Sequence, residues 1–199
     1  MRIVAATLLS LAVLGSSCRD GAAPPTPSPA ATPPTAAAGQ PQGVAPSPAT
    51  APTADQLAAL QIKNLAVPTP GLITAGQPTE AQFEALAKLG VKRYVCLRPD
   101  GEAGTGFEAE KAKALGVEFV RLPVAGADDL TADQARALAQ ALTGAGPAVV
   151  ACGSSNRVGA LLALKAFFVD GKSADEALQF GKAAGLKALE PEVQKRLVK

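Results

Sequence analysis

Between Pro147 and Ala160 the sequence reads PAVVACGSSNRVGA: an apolar tetrapeptide ending in a cysteine, a bridge of four small or polar residues, and an arginine where a new period begins. Ala148 to Ala151 is too short for a helix, holds two β-branched valines and is bounded by Gly146-Pro147 and Gly153, which predicts a buried strand. From Asn156 the apolar period moves to about 3.6 residues, with Val158, Leu161, Leu162, Lys165, Phe168 and Val169 on one predicted stripe, so a helix is expected there. A strand, a tight loop and a helix in that order point to an α/β fold with a parallel sheet.

The loop between these elements carries chemistry. Small residues at Gly153, Ser154, Ser155 and Asn156 leave backbone N–H groups free to converge on one centre, as strand-to-helix turns do when they hold an anion. Cys152 ends the strand and faces the first helical turn, where the helix dipole favours a thiolate. Arg157 sits at the same helix start, where a cation is disfavoured unless an anion is bound; its planar guanidinium can grip two oxygens of a phosphate or sulfate. The plain alternatives are a small buried hydrophobe at position 152 and a surface ion-pair partner at 157.

Two other segments stand out, Ile73-Thr74-Ala75-Gly76-Gln77-Pro78-Thr79 and Val95-Cys96-Leu97-Arg98-Pro99-Asp100-Gly101-Glu102. With the Cys152 loop they resemble, in order, the motifs of a bacterial group of cysteine-dependent phosphatases. Its dual-specificity-phosphatase-like domain also occurs fused to metallo-β-lactamase-like hydrolases. The resemblance spans residues 65 to 197 and implies a three-layer cysteine-phosphatase-like fold, with a mostly parallel central sheet flanked by helices. It also implies hydrolysis of phosphate monoesters, of the tyrosine or dual-specificity type, through a phosphocysteine. Cys152 would be the nucleophile, Arg157 with Gly153, Ser154, Ser155 and Asn156 would hold the phosphate, and Arg98 would contact substrate. A general acid would come from a separate loop, where Asp128 and Asp129 stand in the corresponding place and Asp128 is preferred; Asp100 is a third candidate. Both residues of the 128/129 pair also suit capping of the helix that follows, and Arg98 with Asp100-Gly101-Glu102 equally suits a turn holding a solvated ion pair.

The chain departs from tyrosine phosphatases in having four residues rather than five between cysteine and arginine, and Ala151 where a histidine usually precedes the cysteine. The shorter spacing also resembles rhodanese-type sulfurtransferases, which would act through a Cys152 persulfide, and a non-catalytic anion-binding or interaction domain is a third reading. Ser155 stands where the group commonly has glycine, so a positive φ there would be strained.

There is no histidine, and the three cysteines lie at 18, 96 and 152, which excludes a Ser-His-Asp triad and zinc-ligand spacing; neither metal nor cofactor is expected. A formal net charge of +2 without a basic, aromatic-interleaved patch argues against nucleic acid. The partner expected is a phosphorylated or otherwise anionic substrate. Cys96 lies in a predicted strand beside that of Cys152, so a reversible disulfide between them is weighed against an inert core cysteine, which is preferred.

Residues 1–18 read as an export signal, with Arg2 before an apolar run from Ile3 to Leu14, and Gly15-Ser16-Ser17-Cys18 resembles a lipoprotein cleavage site that would leave Cys18 lipidated. This places the protein in the cell envelope, attached to membrane and facing the periplasm or exterior. Residues 19–54 form an expected disordered linker: from 21 to 54 there is no charge, and ten of the seventeen prolines fall there. The folded domain is expected over 55–199. Within it the sequence predicts an irregular entry over 65–73, broken by Pro68 and Pro70 and leading into a first short strand, helices capped by Thr79, Thr131 and Ser173, strands near 91–97 and 117–124, and a last short helix opening at Glu190-Pro191.

Overall fold

A computed structural model describes residues 51–198. The signal segment, Cys18 and the linker up to residue 50 lie outside the described residues. Five short strands, β1 (Ala66–Thr69), β2 (Leu72–Ala75), β3 (Arg93–Cys96), β4 (Glu118–Arg121) and β5 (Ala148–Ala151), form one sheet in the order β1-β2-β5-β3-β4. β2, β5, β3 and β4 run parallel, and β1 is antiparallel to β2.

Among the described residues seven α-helices cover this sheet: α1 (Ala54–Ala58), α2 (Glu80–Lys88), α3 (Glu108–Leu115), α4 (Ala132–Ala141), α5 (Asn156–Phe168), α6 (Ala174–Ala183) and α7 (Glu190–Arg196). Leu57, Phe83, Leu86 and Ala112 of α1 to α3 pack with Ile73, Tyr94 and Val149 on one face. Leu138, Leu161, Ala177 and Val193 of α4 to α7 pack with Val95 and Val150 on the other. The expected three layers are therefore present. β5, covered on both faces, is buried at every position, which explains why its sequence is a continuous apolar run.

Local chemistry sets the helix starts. Thr79, Thr131 and Ser173 accept hydrogen bonds from the backbone N–H of Gln82, Gln134 and Glu176, as their residue types predict, and Thr53 does the same for α1 by accepting from Gln56. Two readings are corrected. The entry expected to be irregular is a hairpin, whose β1 tolerates Pro68 because an edge strand can forgo one donor. The expected stripe on α5 is instead burial almost all round, from Val158 through Leu164 and again at Ala166 and Phe167, because the sheet, α4, α6 and α7 enclose the helix. Lys165 reaches Asp170, with Nζ 2.8 Å from Oδ1. Val169 follows the helix end and is exposed.

Register also decides the cysteines. Cys96 pairs across with Ala151, so its side chain shares Ala151's face, whereas Cys152, the next residue along, points to the other. Both thiols are free. The disulfide weighed above is ruled out in this arrangement, because the sheet lies between the two sulfurs.

Candidate active site

Parallel strands bring their carboxyl ends to one edge, where ligands of such sheets bind. Here that edge gathers Gly76 after β2, Arg98 after β3, Val124 after β4 and Cys152 after β5. The three motifs singled out in the sequence thus converge. Gly76 pairs with Ser154 in an isolated bridge, and a Cβ at Gly76 would stand 2.9 Å from the Lys63 carbonyl and 3.2 Å from that of Gly153. Glycine is required there by close approach.

Cys152 is 1% exposed and belongs to the core on the α5 side. Burial alone would suit an inert cysteine, but its neighbour is a cation. The Arg157 guanidinium is held above its ordinary value first by hydrogen bonds to Glu102, with burial opposing and the charge of Cys152 adding to the rise. Arg157 Nη1 donates to Glu102 Oε2 at 3.0 Å and to the Val124 carbonyl at 2.9 Å, and Nη2 donates to Glu102 Oε1 at 2.7 Å. Glu102 and Val124 thus take three of the five N–H groups, and the Cys152 side chain is a further hydrogen-bonding partner of the guanidinium, so the remaining side edge of the planar fork, Nε–H and one N–H on Nη2, is turned to the sulfur.

Glu102 also accepts from Arg98 Nε at 2.9 Å, and Arg98 Nη2 donates to the Ala103 carbonyl. Two guanidinium groups thus share one carboxylate. The hydrogen bond from Arg157 first, and that from Arg98 against some desolvation, lower the Glu102 pKa to about 2. Arg98, expected at the substrate, is buried and committed to this turn. Arg121 braces it from behind, with Nη1 donating to the Arg98 carbonyl at 2.9 Å and Nε 2.9 Å from Asp100 Oδ1. Buried Glu108 accepts from Gln77 Nε2 at 2.9 Å and from the Gly106 N–H at 2.8 Å, tying the first motif to the start of α3, just beyond the second.

Ser155 has φ +65° and ψ −7°, so the loop does demand the left-handed conformation that glycine adopts freely. It occupies the N-cap of α5 yet makes no capping hydrogen bond, unlike Thr53, Thr79, Thr131 and Ser173; its Oγ donates to the Ala184 carbonyl at 3.0 Å. The first N–H groups of α5, which have no partner within the helix, are left to the loop interior. Asn156 Oδ1 accepts from the N–H of Lys187 at 2.8 Å and of Leu189 at 3.3 Å, and the Ser154 carbonyl accepts from Asn64 Nδ2 at 2.9 Å. Asn156 spends this oxygen on the support of the loop.

Asp128 and Asp129 lie in a single 3-10 turn, Ala127–Asp129, on the loop whose Val124 carbonyl touches Arg157. Asp129 Oδ2 accepts from the Ala125 N–H at 2.6 Å and closes that turn, whereas Asp128 is exposed. Asp100 is paired with Arg121. The sequence reading missed Glu102 as the hub, because nothing local marks a partnership across 55 positions.

A fold of this kind, with a cysteine at the end of its central strand and an arginine opening the next helix, is that of the cysteine phosphatases. The chain belongs to the family described as the phosphatase-like domain of beta-lactamase hydrolase-like protein, whose model matches residues 64–167. It is similar in structure to a candidate phosphatase of Neisseria meningitidis Z2491, at 24% identity and TM-score 0.55 over 65% of this chain and 96% of that one. A candidate phosphatase of Shewanella putrefaciens CN-32 aligns at 19% identity and TM-score 0.53, covering 72% and 95%. TpbA of Pseudomonas aeruginosa, a cysteine-to-serine variant in complex with phosphotyrosine, aligns at 23% identity and TM-score 0.50, covering 77% and 91%. Among curated proteins none matches.

Proposed function

We propose that this domain hydrolyses phosphate monoesters through a phosphocysteine on Cys152. The observation that carries the reading is the arginine set against the cysteine: Glu102 and the Val124 carbonyl fix the end of the Arg157 fork, and its Nε/Nη2 edge faces Cys152, the place where two phosphoryl oxygens would be gripped as the sulfur attacks. The uncapped first turn of α5 offers further donors to the same oxygens.

Cys152 Sγ, as thiolate, attacks phosphorus; the S–P bond forms as the ester P–O bond breaks. The leaving oxygen takes a proton from Asp128, which is the free carboxyl of its turn while Asp129 is engaged. Water then attacks the phosphocysteine, gives a proton to the Asp128 carboxylate, and releases phosphate and the thiolate. At 1% exposure the sulfur is screened from bulk water, so the phosphoryl group enters between guanidinium and loop to reach it. The phosphotyrosine held by the Pseudomonas structure supports an aryl phosphate as first substrate.

The test is hydrolysis of para-nitrophenyl phosphate. Activity should vanish in Cys152→Ser and Arg157→Ala, both still folded. Thiosulfate-dependent cyanide consumption without phosphate release would replace this reading with sulfur transfer, and silence in both assays would leave an anion-binding domain. We further infer export and lipid attachment through Cys18 from residues 1–18 alone. Labelling with a lipid precursor that disappears in Cys18→Ala checks it.

A further inference from the structure

The residue standing where glycine is usual in such loops makes two contacts that only a second glycine permits. Ser155 Oγ donates to the Ala184 carbonyl, and the next residue, Gly185, has φ +104° and faces the same side chain. A Cβ at Gly185 would stand 2.5 Å from Ser155 Oγ and 2.8 Å from Ser155 Cβ, distances that real Cβ atoms essentially never show. The serine is thus seated on a bare backbone. One residue on, Asn156 Oδ1 takes the N–H groups of Lys187 and Leu189, so residues 184–189 between α6 and α7 hold two adjacent loop residues.

A serine at an N-cap ordinarily turns its hydroxyl onto the first free N–H groups of its helix. Doing so here would fill the donors that an anion needs. The left-handed backbone and the Ala184 carbonyl direct the hydroxyl the other way, and Gly185 leaves room for it.

We propose that Ser155 is a positioning residue: its hydroxyl, tied to the Ala184 carbonyl over the bare backbone of Gly185, anchors the loop to the link between α6 and α7 and so stays off the α5 amides, which keeps the loop open to a phosphoryl group. The inference rests on the phosphatase reading and assigns the work of a missing loop glycine to a pair of residues thirty positions apart.

The test uses the full chain in four forms: wild type, Gly185→Ala, Ser155→Gly and the double variant. It measures para-nitrophenyl phosphate turnover, affinity for inorganic phosphate, and melting temperature. Gly185→Ala should lose about tenfold or more in kcat/KM, as displacements near 1 Å do in preorganised sites, with phosphate affinity falling alongside. The double variant, which lacks the Ser155 Cβ and Oγ, should recover to within about threefold of Ser155→Gly. Both Gly185→Ala forms should melt below their parents, because alanine at φ +104° is strained whatever its neighbour. Recovery of turnover without recovery of melting temperature is what a merely structural role would not give.

A folded Gly185→Ala with wild-type kcat/KM, or a double variant as impaired as the single, overturns the proposal. If Gly185→Ala does not fold, Ser155→Ala decides: it loses the bond to Ala184 and should fall about three- to tenfold in kcat/KM and phosphate affinity, and unchanged values overturn the proposal. A wild type that neither turns over nor binds phosphate overturns the phosphatase reading, and this inference with it.

Discussion

Replacing Glu102 by glutamine should destabilise the domain at neutral pH and much less in acid. Glu102 ionises at about 2 against an ordinary 4.5, and at about 1.36 kcal/mol per tenfold change in proton activity the difference is worth about 3 kcal/mol. Its side chain is 32% exposed, so screening by solvent brings the expected contribution to about 2 kcal/mol. The sign follows from the direction of the shift. A carboxyl that loses its proton more readily when folded contributes in full above pH 4.5, and that contribution fades as pH falls towards 2. Glutamine also leaves two guanidinium groups, that of Arg98 buried and that of Arg157 half-buried, facing an amide instead of a charge. Urea unfolding of both forms at pH 7, 5, 4 and 3 should show a gap of about 2 kcal/mol at pH 7, equivalent to about 4–8 °C in melting temperature, that narrows from pH 5 to pH 3. Turnover should fall as Arg157 loses its fixed orientation. A gap absent at pH 7, constant with pH or widening in acid would refute the argument that this carboxylate holds both arginines.

Three further outcomes are expected. Asp128→Asn should slow turnover about 10²- to 10⁴-fold at unchanged melting temperature, whereas Asp129→Asn should cost about 1 kcal/mol of stability through the weakened tie to Ala125, which steady-state kinetics and thermal melts separate. Gly159→Ala should cost about 3 kcal/mol or more, since its Cβ would fall 2.1 Å from the Leu186 nitrogen and 2.6 Å from the Gly181 carbonyl; chemical denaturation reads this directly. After exposure of the folded protein to a mild oxidant, non-reducing alkylation and mass spectrometry should find no intramolecular Cys96–Cys152 bond, because the sheet separates the two thiols.

Much of this was legible where short-range chemistry decides. The valines and glycines around Cys152 predict strand, loop and helix, and Thr79, Thr131 and Ser173 announce helix starts, because each acts within about one turn. The residues at the strand ends followed from the same pattern, since parallel strands must deliver their carboxyl ends together. What escaped depends on distance in the chain. Pro68 argued against a strand because its edge position was invisible. The stripe on α5 was drawn too narrow because enclosure by α4, α6 and α7 is a property of the packed domain. Glu102 read as part of a solvated turn because Arg157 lies 55 residues away, and the strain expected at Ser155 was right about the backbone and silent about Gly185. Asn156 looked like a ligand by its place in the loop, and only tertiary structure revealed Lys187 and Leu189 on its oxygen.

The near-contact of α5 with α6 at Gly159 and Gly181 has a consequence for how such a domain can change. The helix that opens with the site's arginine is jammed against backbone on its α6 side and tolerates not even a methyl group there. Novelty in what the site admits must therefore come from the turns at 99–106 and 123–131, where Asp100, Gly101, Ala103, Gly104, Ala125 and Asp128 are exposed and can be exchanged without disturbing that contact. Drift in those two turns should alter which esters are accepted long before it alters the fold.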